Sequence, residues 1–85
     1  MEHLIILESA RKHRISDEDI MFVLENTYVI KEMRITPEKL MFLGFDSKAR
    51  AIEVITDSGS DGHVYVIHAD LITRQNEKLL KEVLL

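Results

Sequence analysis

Three runs of the chain, Lys39–Phe45, Arg50–Thr56 and Val64–Ala69, limit most severely what it can fold into. Each has the length of a strand and is rich in β-branched or aromatic side chains. The joins between them, Asp46-Ser47-Lys48-Ala49 and Ser58-Gly59-Ser60-Asp61-Gly62, are short and turn-like, and the second supplies glycines for positive φ. Short joins allow only antiparallel neighbours, so the three runs predict an antiparallel meander. Alternation within them is weak, because Leu40 and Phe42 point one way while Met41, Leu43 and Phe45 point the other. A sheet that is apolar on both faces needs two covers. The helices are expected to cover one face, leaving part of the second for a subunit or partner.

Residues 3–13 read as a first helix, with Leu4, Leu7 and Ala10 at three-residue spacing and Ile6 broadening the stripe. The cations Arg11, Lys12, His13 and Arg14 at its end either balance the helix dipole or face nucleic acid. Ser16-Asp17-Glu18-Asp19 marks the start of a second helix at Asp17: Ser16 can cap free amides, three acids occupy the positive first turn, and Ile15 can pack on Ile20. The spacing of the two helices suits a DNA-reading pair, but three acids at the opening of the second would meet phosphates with the wrong sign.

Tyr28-Val29-Ile30 is a candidate short strand, and Thr36-Pro37 breaks pairing before the meander. After it, Asp70 or Thr73 can cap a last helix whose apolar side is Ile72, Leu79, Leu80, Val83 and Leu84, with Glu77 and Lys81 as an i,i+4 pair. The apolar end at Leu85 is expected to dock on the domain or a partner. The fold class expected is therefore α+β, with two N-terminal helices, a three- or four-stranded antiparallel meander and a C-terminal helix. With 85 residues there is room for one core, so residues 1–85 are expected to form a single domain.

An apolar fraction of 46% against 31% charged excludes a disordered chain. Without cysteine there are no disulfides or thiolate metal sites. The N-terminal apolar run is too short and too acidic in its flanks for a signal peptide, and no stretch is long enough to span a bilayer, so the cytoplasm is the expected location and no membrane role is expected. A net charge of −4 argues against a surface coated with positive charge for nucleic acid, although a local basic patch is compatible with it.

None of the strong catalytic motifs occurs. His3, His13, His63 and His68 lack metal-ligand spacing, and His3 and His63 are expected to be solvated. His68 ends an apolar strand beside Asp70 and ahead of Arg74. A histidine there can act as general acid or base while the arginine stabilises phosphoryl charge. The alternative is a half-buried His68 satisfied by a backbone carbonyl or Asp70. Arg50 divides in the same way, between a ligand contact and a pair with Asp46 or Glu53.

Three segments carry a family resemblance. Arg11-Lys12-His13-Arg14-Ile15-Ser16-Asp17-Glu18-Asp19-Ile20 resembles the segment KHGIS/V-x-E-E-A/I of BrnT-like toxins of type II toxin–antitoxin systems, with Arg14 at its usual glycine. Leu43–Val54 is similar to that family's hairpin IG-x-(D/T)-x-x-GR-L-L-x-V. Val66-Ile67-His68-Ala69 followed by Thr73-Arg74 is similar to its closing I-I-S/H-A-R-x-A-T-R. The resemblance implies a RelE-like small ribonuclease neutralised by a cognate antitoxin, working without a metal or other cofactor; the uncovered sheet face separately leads to the expectation of a homo- or hetero-oligomer. It implies His13, His68 and Arg74 as catalytic residues and Lys12 and Arg50 as RNA-binding ones. The other function expected from the sequence is a non-catalytic interaction domain, joining copies or partners through its second sheet face.

Overall fold

The computed structural model describes residues 3–85. Its order is strand β1 (Leu4–Ile6), a short 3-10 turn (Glu8–Ala10), helix α1 (Asp17–Glu25), strands β2 (Thr27–Arg34), β3 (Lys39–Phe45), β4 (Ala51–Ser58) and β5 (Val64–Leu71), and helix α2 (Arg74–Leu84). The strands form one five-stranded sheet in the order β1-β5-β4-β3-β2. Neighbours from β2 to β5 are antiparallel, and β1 lies parallel to β5.

Two parts of the expected architecture are corrected. Residues 3–13 do not form a helix: Leu4, Ile5 and Ile6 pair with Val64, Tyr65 and Val66. Of the apolar positions that suggested a helical stripe, Leu4 and Ile6 also satisfy a period of two, packed on the core with Ile5 outward between them. Branching at Cβ in Ile5 and Ile6 favours extended backbone, and the otherwise free edge of β5 supplies the hydrogen bonds. Arg14, at φ 63°, turns the chain sharply before α1. Only the three-residue 3-10 turn Glu8–Ala10 precedes α1 among the described residues, so the DNA-reading helix pair has no first α-helix. The sheet is correspondingly mixed and five-stranded, with the antiparallel meander as its larger part, and β2 is eight residues long where three were expected.

Local signals succeed elsewhere. Ser16 Oγ accepts from the Asp19 amide at 3.1 Å, as a capping residue should, and α1 begins at Asp17. Lys81 lies 3.5 Å from Glu77 on α2. At the C-terminus of α1, Gly44 in β3 is approached closely by the chain leading into β2: a Cβ there would stand 3.3 Å from the Asn26 carbonyl oxygen.

The helices cover opposite faces of the sheet. Ile20, Val23 and Leu24 of α1 pack with Phe42, Ile52, Val54, Val66 and Ala69. Leu79 and Leu80 of α2, with Ile72, pack on Met41, Leu43, Phe45, Ala51 and Ile55. Full burial of side chains such as Ile20, Leu43 and Ile52 stabilises by about 1.5–3 kcal/mol each. Both apolar faces of the meander thus find a helix. Of the large apolar side chains left in solvent, Tyr28, Ile30, Met33 and Ile35 lie on and after β2 and Val83, Leu84 and Leu85 at the end of α2, while Ile5, Leu7, Phe22 and Leu71 are scattered elsewhere. No helix among the described residues is long and apolar enough to cross a membrane.

Candidate acid–base site

Sheet register decides which polar groups meet. On the α2 face, Glu53 stands opposite Asp70 and Ile55 opposite His68. The register then shifts, because Thr56 pairs with Val66 and leaves Ile67 unpaired. That extra residue is a bulge, which lets Val66 turn into the α1-side core while His68 points to the α2 side.

Glu53 is the hub, only 5% exposed. Its Oε1 accepts from the Thr73 amide at 2.7 Å and from Asn76 Nδ2 at 3.1 Å, and its Oε2 lies 2.9 Å from His68 Nε2. Burial opposes the charge, but the Thr73 amide, Asn76 and His68 outweigh that penalty and hold the carboxyl below its ordinary value. An ionised Glu53 can only accept, so His68 Nε2 carries the proton and Nδ1 is left to exchange one.

His13 reaches the same place from the loop after the 3-10 turn, which Ser9 anchors by donating from Oγ to the Ile67 carbonyl at 2.9 Å. Its Nδ1 is 3.5 Å from Asp70 Oδ2, and its ring lies 5.7 Å from that of His68 at 71°. Two imidazoles from positions far apart in the chain therefore face each other, each with its own carboxylate.

The remaining expected site residues are distributed less tightly. Lys12 adjoins His13, and Arg74 opens α2 next to Thr73; both are exposed and neither forms an ion pair among the described residues. Arg50 is held elsewhere: its Nε donates to Asp46 Oδ2 at 2.7 Å and its Nη2 lies 3.5 Å from Asp19 Oδ2 of α1. Asp46 also accepts the Lys48 and Arg50 amides at 2.9 Å, and these bonds keep its carboxyl below the ordinary value despite burial. The guanidinium thus clamps the β3–β4 hairpin to α1, while the histidine pair sits with α2. Of the two acids considered for it, Asp46 is its partner and Glu53 is not.

Asp70 belongs to His13, and the partner of His68 is Glu53, which the sequence reading missed in that role along with Thr73 and Asn76. A lone carboxylate between Ile52 and Val54 was the available signal, since a charged side chain inside an apolar strand must find partners. His63, expected in solvent, is half-buried between His3 and Tyr65, with ring separations of 5.6 and 6.3 Å. Among the described residues no three His, Cys, Asp or Glu side chains are grouped to hold a metal.

The arrangement is thus a mixed sheet between two helices, with two histidine–carboxylate pairs near the start of α2. No family model, curated protein or solved structure matches the chain.

Proposed function

We propose that the protein is a BrnT-like toxin, an RNA endonuclease that needs no metal and is neutralised by a cognate antitoxin. One observation carries the reading: His13 and His68 face each other at 5.7 Å, each backed by a carboxylate. RNA cleavage by its own 2′-hydroxyl requires a base on one side of the phosphorus and an acid on the other. His68, neutral at Nδ1, takes the 2′-hydroxyl proton as the 2′-oxygen attacks phosphorus. Protonated His13 gives its proton to the departing 5′-oxygen, leaving a 2′,3′-cyclic phosphate and a free 5′-hydroxyl. Asp70 orients the ring of His13, and Glu53 fixes that of His68. Lys12, next to His13 in sequence, and Arg74, next to Thr73, are assigned to offset charge on the crowded phosphate.

Expression in a bacterial host, together with incubation of the purified protein with RNA in a chelator, tests this. Growth arrest and cyclic-phosphate ends, both abolished by His68→Ala or Arg74→Ala in variants that still fold, are expected. A harmless wild type that leaves RNA intact overturns it.

A second reading, an interaction domain without catalysis, is favoured by the unpaired edge of β2 with Tyr28, Ile30 and Met33 in solvent. Light scattering at rising concentration separates a monomer from a self-associating chain, and Ile30→Lys should abolish any association that uses this edge.

A further inference from the structure

The α2-side face of the sheet is only half covered. Residues sharing a register row share a face, and three rows can be followed across the strands. Val29, Leu43, Glu53 and Asp70 form the row at α2. Next to it lies Lys31, Met41, Ile55 and His68, and beyond that Arg34, Lys39, Asp57 and Tyr65. Between this open half and α2 runs a cleft of about 240 Å³ with Met33, Met41 and Ile55 as its floor and Lys31, Gln75 and Asn76 at its rim. Glu53 is its inner wall, so the cleft begins where the histidine cluster ends.

We propose that this cleft and the row that crosses it bind single-stranded RNA beside the scissile phosphate, a proposal that rests on the ribonuclease reading. His68 and Lys31 stand three strands apart, roughly 14 Å at the usual strand spacing. A chain with its scissile phosphate at the histidines therefore extends across the row and brings a later phosphate to Lys31.

The floor suits a base. Met33 is 46% exposed and, with the half-buried Ile55, offers an apolar, polarisable surface for stacking over the buried Met41. The rim suits the edge of that base: Asn76 spends its Nδ2 on Glu53 and on Met41 Sδ, at 3.1 and 3.2 Å, while its carbonyl oxygen and the whole Gln75 amide have no hydrogen bond among the described residues. Amide side chains of this kind recognise base edges, and unstacked bases are how RNA sequence is read.

Charge agrees with the placement. Lys31, Lys39 and Lys78 face the open half or the side of α2 that adjoins it. The carboxylates there are mostly engaged: Glu53 by its three partners, and Asp57 by Arg34. Glu82 is the exception, at the far end beside Lys78. The larger hollow on the outside of α1, about 400 Å³, is lined by Asp17, Glu18 and Glu25 and would repel a phosphate chain.

The test is fluorescence anisotropy with a labelled single-stranded 2′-O-methyl oligonucleotide, which the protein cannot cut by this chemistry. Lys31→Glu is expected to weaken binding at least about tenfold and to reduce the salt slope by roughly 0.7, the value for one single-strand phosphate contact. Gln75→Ala and Met33→Ala, both at exposed positions, should weaken it about threefold and change base preference. Lys48→Glu, an equal charge change in the β3–β4 turn, should bind as wild type does. If wild type binds and cleaves RNA but Lys31→Glu is indistinguishable from it, the track is overturned and the ribonuclease stands. Lys31-dependent binding without any cleavage of natural RNA leaves the track and removes the nuclease. Failure of the wild type to bind the probe removes the track outright.

Discussion

His68 Nε2 and Glu53 Oε2 lie 2.9 Å apart across β4 and β5, and the same carboxylate accepts from the amide of Thr73, the residue just before α2. One side chain thus ties the candidate acid–base group to the helix that covers the sheet. Chemistry and stability are coupled through it.

Glu53→Gln keeps the volume but loses the charge, so the Thr73 amide and His68 face a weaker acceptor. A loss of about 1–3 kcal/mol in urea unfolding at neutral pH is expected, with smaller helix signal if α2 loosens.

The same group sets an acid limit. Its folded value lies below the ordinary 4.5, so its contribution is fully present above 4.5 and is lost as pH falls through the depressed folded value. Asp17 and Asp46, both lowered, act in the same direction: Arg11 hydrogen-bonds Asp17, and for Asp46 the Arg50 and Lys48 bonds outweigh burial. Unfolding midpoints measured from pH 6 down to about pH 3 should decline in that window. Glu53→Gln should show a shallower decline than wild type.

Arg50→Ala should act on stability and leave RNA cleavage within about twofold of wild type, because its guanidinium serves Asp46 and Asp19 on the α1 side. Removing it exposes a buried carboxylate that keeps its two amide donors, for a cost of about 1–2 kcal/mol. Parallel unfolding and cleavage assays check both halves of this expectation.

Arg14 and Ala49 both sit at φ 63°, where a Cβ is strained. Glycine relieves that strain at some cost in unfolded-state entropy, so Ala49→Gly should gain about 0.5–1 kcal/mol. Arg14→Gly should gain a similar amount; thermal melts of the two single variants and the pair should show nearly additive shifts.

The parts of this fold that could be read from the sequence are those specified by neighbours along the chain. Ser16 and its three following acids mark α1, and the turn chemistry of residues 46–49 and 58–62 marks the meander. Leu4–Ile6 was misread because its partner is Val64–Val66, and three apolar residues fit either period until that partner is known. The site was half legible for the same reason. His68 could be placed at a strand end, but a one-residue bulge at Ile67 determines its face, and the register beyond it determines that Glu53 and not Asp70 receives it. His13 meets Asp70 only because β1 carries the following loop to β5.

That parallel strand has a consequence for how the molecule assembles. β1 contributes three residues to the ladder and must close the long loop from Leu4 to Val64 to do so. The meander and its helices can form before it arrives. Amide protons of Ile5 and Ile6 should then exchange faster than those of β4, and each time this border strand peels away it takes the His13 segment with it, so the paired imidazoles exist only in the fully closed molecule.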